Sequence, residues 1–159
     1  MADLVTATLV AVGCVLLAAP AGLVWSALSP RLTVRLGPDG PSPVGVEGKA
    51  LVGADGSFLA VILVAGVLTG GLAWLLARRA GPWTVLGLLV GGLVAAKTAG
   101  LVGVMPGRAH VRALLHDPHA SGVVELYLRL RAPWSVVGWP VAALVTFVTA
   151  ALRRPEELD

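Results

Sequence analysis

One ammonium group, Lys97, stands inside an otherwise apolar run from Trp83 to Val104. A charge within a hydrocarbon core costs ~2.5–3.5 kcal/mol on insertion scales, so a lysine there points by default to a bound anion, a moving solute or an ion pair. The structural alternative is that Lys97, seven residues before Val104 and so ~10 Å along a helix, snorkels to the interface or meets Glu47, Asp55 or Glu125 there. Arg108 and Arg112 follow on the same side of the run. With Lys97 they form the candidate set for an anionic headgroup or solute.

A second group of donors lies in Arg108-Ala109-His110-Val111-Arg112-Ala113-Leu114-Leu115-His116-Asp117-Pro118-His119. The His116-x-x-His119 spacing with Asp117 and His110 suits zinc in principle, but Pro118 interrupts the helix that would align them and no matched fourth ligand follows. A solvated interfacial loop is the favoured reading, with His116 and His119 kept as weak metal candidates. Asp39, Glu47 and Asp55 read as turn and capping residues rather than a catalytic set. Cys14, the single cysteine, excludes an intramolecular disulfide and a Cys-x-x-Cys redox pair, and reads as a small packing residue.

These residues imply no cofactor and no enzyme class. A haem-b protein needs histidines within its helices, a thiol oxidoreductase needs paired cysteines, and a proton-coupled exporter or intramembrane aspartyl hydrolase needs a carboxylate at mid-depth. Twelve Lys and Arg, a net charge of +3 and a pI near 9.8 form no basic stripe, so nucleic acid is not expected as a partner.

The elements that must position these groups are four apolar runs, at about 4–28, 58–76, 83–104 and 134–152, in which Lys97 is the only charged residue. Each approaches the ~20 residues that a helix rising ~1.5 Å per residue needs to cross ~30 Å of hydrocarbon. Hydrophobic residues are 57% of the 159 and charged ones 13%, with a mean hydropathy of +0.86, which fits no water-soluble domain of this size. The expected fold is a single all-α integral membrane domain of four transmembrane helices. Ala19-Pro20-Ala21 resembles a signal-peptidase site, but the preceding segment holds Asp3 and no Lys or Arg, and the apolar run continues to Leu28; a membrane span is expected instead.

The loops at 29–57 and 105–133 lie on one side and are too short to fold alone. Leu32 to Leu36 alternates, Gly37 to Pro43 is rich in turn formers, Val44 to Val52 is β-compatible, and Val123 to Arg131 alternates with Val124, Leu126, Leu128 and Leu130 on one face. These stretches predict a small β-containing cap built from both loops. Trp25 reads as an interfacial tryptophan, Asp55 or Ser57 as a cap for the second span, and Trp139-Pro140 as a bend, or as confining the regular part of the fourth helix to the residues after Pro140.

Spans two and three, joined by a short turn, are expected to form a tight hairpin. Gly66-x-x-x-Gly70 would face Gly87-x-x-x-Gly91 and Ala96-x-x-x-Gly100. Internal packing is the favoured use of these faces, with homo-oligomer contact as the alternative. Arg78, Arg79, Arg153 and Arg154 at membrane boundaries favour cytoplasmic termini, although a raw count gives seven basic residues in the long loops against these four.

Trp25 with Ser29-Pro30-Arg31, Ala54-Asp55-Gly56-Ser57-Phe58 leading into Val64-Ala65-Gly66-Val67-Leu68, and Leu128-Arg129-Leu130-Arg131-Ala132-Pro133 followed by Trp139-Pro140-Val141-Ala142-Ala143-Leu144 resemble short four-span membrane proteins of actinobacteria grouped as a domain of unknown function. The likeness covers most of the chain and rests on turn and boundary residues. It implies a multi-pass protein of the bacterial cell membrane and lends no activity. Lys97 is not part of that pattern. The functional expectation is a non-enzymatic envelope accessory or scaffold working through a membrane partner; the alternative is a small transporter or lipid-binding module using Lys97 and the loop arginines.

Overall fold

Most large apolar side chains among the described residues lie on the outside of this protein, and most of the buried positions are small. In the computed structural model, which describes residues 2–29, 32–37, 40–43, 47–76, 82–115, 122–126 and 133–153, the buried positions include Ala7, Cys14, Ala18, Ala65, Ala95, Ala96, Ala99 and Ala143, while Leu4, Leu9, Leu16, Leu76, Val64 and Val145 are exposed. Water would not tolerate that arrangement. A bilayer does, because lipid tails solvate leucine as well as a protein core would and helices then associate by close backbone approach. Four helices are long and apolar enough to cross a membrane, over Asp3–Leu28, Gly53–Leu76, Trp83–Pro106 and Trp134–Leu152, and the chain is a multi-pass membrane protein.

The elements run α1 (Ala2–Leu28), β1 (Leu32–Gly37), β2 (Gly40–Pro43), α2 (Glu47–Leu76), α3 (Trp83–Leu115), β3 (Gly122–Leu126), a 3₁₀ turn (Pro133–Val137) and α4 (Gly138–Leu152). Two helices are longer than their apolar runs. The β-compatible stretch ending at Val52 is instead helical from Glu47 on, and Val44 to Val46 lies outside the described residues. Continuing the helix keeps each backbone group next to the bilayer paired within its own segment. Asp55 and Ser57 consequently sit inside α2 rather than capping it, and the Ser57 hydroxyl donates to the Ala54 carbonyl at 2.9 Å. Likewise α3 continues past Met105 through Pro106 to Leu115. Proline there removes one backbone bond, but its fixed φ is helical.

The expectation for the fourth span is also corrected: α4 starts at Gly138, two residues before Pro140. In the first turn the amide hydrogens have no intrahelical partner, so a proline there forfeits nothing.

The expected pairing of α2 with α3 is replaced by another. α1 packs on α3 and α2 on α4. A Cβ placed on Gly87 would meet Ala7, one on Gly91 would meet Ala11, and one on Gly22 would meet Ala99 and Gly103. Residue numbers rise together, so α1 and α3 run parallel. Gly138 abuts Leu59 and Ile62, Gly66 abuts Trp139 and Ala142, and Gly70 abuts Ala143, which makes α2 and α4 a second parallel pair. The signal was in the sequence: Gly87, Gly91, Ala95, Ala99 and Gly103 repeat every four residues, and Ala7, Ala11, Cys14, Ala18, Ala21 and Trp25 alternate by four and three, the spacing of a helix seam.

β1, β2 and β3 form one antiparallel sheet in the order β2-β1-β3. Val34 is opposite Pro43 on one side and Val124 on the other. Two prolines, Pro41 and Pro43, are compatible with β2 because it is an edge strand. The expected continuation of the last strand from Tyr127 to Arg131 lies outside the described residues.

Candidate functional site

Buried polar groups in this bundle tie helices together. Trp25, read above as an interfacial residue, is 2% exposed; its indole N–H donates to the Ala54 carbonyl at 3.1 Å. Its ring meets Phe58 edge to face, with centroids 5.0 Å apart, and lies against Gly103, where a Cβ would collide with it. One side chain of α1 thereby engages α2 and α3. Trp83 and Trp134, both substantially exposed at span ends, have the placement of an aromatic belt.

A second node sits deeper. The Trp139 indole donates to the Thr69 hydroxyl at 3.2 Å, and the single proton of that hydroxyl is shared between the carbonyls of Ala65 and Gly66, both at 3.0 Å. Cys14 of α1 lines the same cavity as Thr69. Two helices, α2 and α4, meet at one threonine, the small-residue face of α4 allowing the approach.

Between α1 and α2 the packing is looser, and two cavities follow this antiparallel seam. One, ≈ 430 Å³, extends from Leu17 to Leu28 on α1 and from Ala60 to Leu68 on α2. The other, ≈ 350 Å³, extends from Thr6 to Leu17 on α1 and from Thr69 to Leu76 on α2. A third, between α2 and α4, contains Trp74, Thr146, Thr149 and Arg153.

Lys97, Arg108 and Arg112, named from the sequence, all belong to α3. Lys97 is exposed on the stripe of α3 that also presents Val90, Val94 and Leu101 outward. None of the three cavities includes it. Arg108 and Arg112 lie on the extension of α3 beyond Pro106, eleven and fifteen residues on, so at least ~16 Å of helix separates them from Lys97. His110 belongs to the same helical extension; His116, Asp117 and His119 lie outside the described residues. Among the described residues no three His, Cys, Asp or Glu side chains come together as a metal would require. The nodes at Trp25 and Thr69 were missed because an indole or hydroxyl in an apolar run carries no spacing signature of its own.

No family model matches this chain, and neither a curated protein nor a solved structure shows significant similarity to it.

Proposed function

We propose that this protein is a non-enzymatic accessory of the bacterial cell membrane that acts through a partner, with both termini cytoplasmic and the sheet capping the outer end of the helices. The single observation that carries the reading is the sheet itself. Strands from two loops, eighty-five residues apart between Gly37 and Gly122, are brought into one sheet with unequal edges. The β2 edge carries Pro41 and Pro43, which lack amide hydrogens and block strand addition; β3, the other edge, contains no proline. An extended segment of an envelope partner adding to β3 would supply the missing backbone pairing. The likeness to the actinobacterial four-span family is compatible with that setting. A photo-reactive residue at Val123 or Glu125, activated in cells, tests it: a discrete adduct with another envelope protein supports the reading, and adducts confined to the chain itself remove it.

A second reading is supported by the outward stripe of α3. Lys97 among Val90, Val94 and Leu101 is placed to snorkel to a lipid phosphate. If that contact is the protein's task, Lys97→Ala loses its preference for phosphatidylglycerol over phosphatidylcholine in mixed nanodiscs, whereas an unchanged preference dismisses it.

A further inference from the structure

The seam between α1 and α2 is open along its whole length, and its dimensions are those of the bilayer. The two cavities meet at Leu17, which lines both. From Leu17 to Leu28 is eleven residues of α1, and from Thr6 to Leu17 is eleven more, ~16 Å of helix each. Half of a ~30 Å hydrocarbon core is ~15 Å. Each cavity thus has the length of one leaflet, with Leu17 near the midplane.

From this we infer that the seam holds two lipid acyl chains, one from each leaflet, end to end across Leu17. The linings favour a flexible chain over a helix. Helices associate in lipid through small residues that admit a second backbone, and here those faces are already occupied, α1 against α3 and α2 against α4. What lines the outer-loop half of the seam is mostly branched: Leu17, Val24, Leu28, Val61, Val64 and Leu68. Polymethylene fills the irregular space between such side chains, whereas a second rigid helix would bridge over it and leave voids without van der Waals partners. In the other half, Gly13 supplies an opening in which no atom lies within 4 Å of the position a Cβ would take. Of the polar groups there, the Thr69 hydroxyl is engaged with Trp139 and backbone carbonyls and Thr6 is likewise partnered, so neither makes a demand on the occupant. The inference rests on the four-span architecture and is independent of a partner at β3.

The test is native mass spectrometry of the full chain released from nanodiscs of 1-palmitoyl-2-oleoyl-phosphatidylcholine, a zwitterionic lipid that gives Lys97 no net charge to attract. The unmodified protein is expected to retain two lipids. Ala60→Phe, at an exposed position lining the first cavity, and Gly13→Phe, in the second, are each expected to retain one, and the double variant none, with retention at the filled half falling at least tenfold. Ala60→Leu and Gly13→Leu give the same comparison should a phenylalanine variant not fold. Equal retention in native and folded variant proteins overturns the inference, as does a native protein that keeps no lipid. A photo-reactive residue at Ala60 that captures a second copy or another protein in place of lipid also overturns it.

Discussion

Trp139 and Thr69, seventy residues apart in the chain, meet through an indole N–H to hydroxyl bond of 3.2 Å in the interior of the bundle. The threonine is 5% exposed and the tryptophan fully buried. Thr69→Val retains shape and removes the acceptor for Trp139. Stability measured by steric trapping in bicelles is expected to fall by about 0.5–1.5 kcal/mol, the modest range typical of interhelical bonds in membranes. Thr69→Ser is expected to restore most of it. A valine variant as stable as the native protein would show that the bond contributes nothing.

Close approach of α1 to α3 makes a sharper demand. A Cβ on Gly91 would lie 2.6 Å from the Ala11 Cα, whereas one on Gly71 would meet nothing within 4 Å. Gly91→Ala should therefore cost about 1–3 kcal/mol, because backbone must move. Gly71→Ala should fall within ~0.5 kcal/mol of the native protein. Equal effects in a thermal-shift series would contradict the helix pairing.

Trp25 has two separable roles. Trp25→Phe keeps an aromatic ring beside Phe58 and Gly103 while losing the donor to the Ala54 carbonyl, which still accepts from Ser57. A loss of about 1 kcal/mol is expected for it, against about 3 kcal/mol for Trp25→Ala, which also leaves a cavity. Comparable losses in the two variants would assign the whole effect to the hydrogen bond.

Cys14 is 1% exposed and should stay silent toward a membrane-impermeant maleimide, leaving the native chain as its own background for topology mapping. With the termini inside, Asp39→Cys is labelled in intact cells and Arg79→Cys only after permeabilisation. The reverse pattern inverts the proposed orientation.

Four apolar runs fix the four spans, because the length of a run and the thickness of a bilayer are the same kind of quantity. The alternation of Leu32 to Leu36 likewise marks β1. Helix partners were harder to read. The short connection from Leu76 to Trp83 suggested that α2 should pair with α3, yet such a turn only sets direction and distance at one end. The four-residue ladder from Gly87 to Gly103 decides which neighbour comes close, and it matches the face of α1 that starts at Ala7. The amphipathic pattern after Met105 is compatible with the one or two helical turns by which α3 runs on to Leu115, whereas the extension of α2 back to Glu47 is not legible because hydropathy falls where the helix leaves the apolar run, while backbone pairing continues. Lys97 drew attention as a charge, but its place on the outward stripe depends on which face of α3 the other helices claim.

Because each close pair is made of odd or even helices, neither α1 nor α2 meets its main companion when it first leaves the ribosome. Fifty-four residues separate the end of α1 from the start of α3, several seconds of translation at ~5–20 residues per second. Throughout that interval the glycine and alanine face of α1 stands against lipid or the insertion machinery. Biogenesis of this protein is therefore a sequence of waits. A chain truncated after α2 should be a target for membrane quality control, even though both of its helices insert correctly.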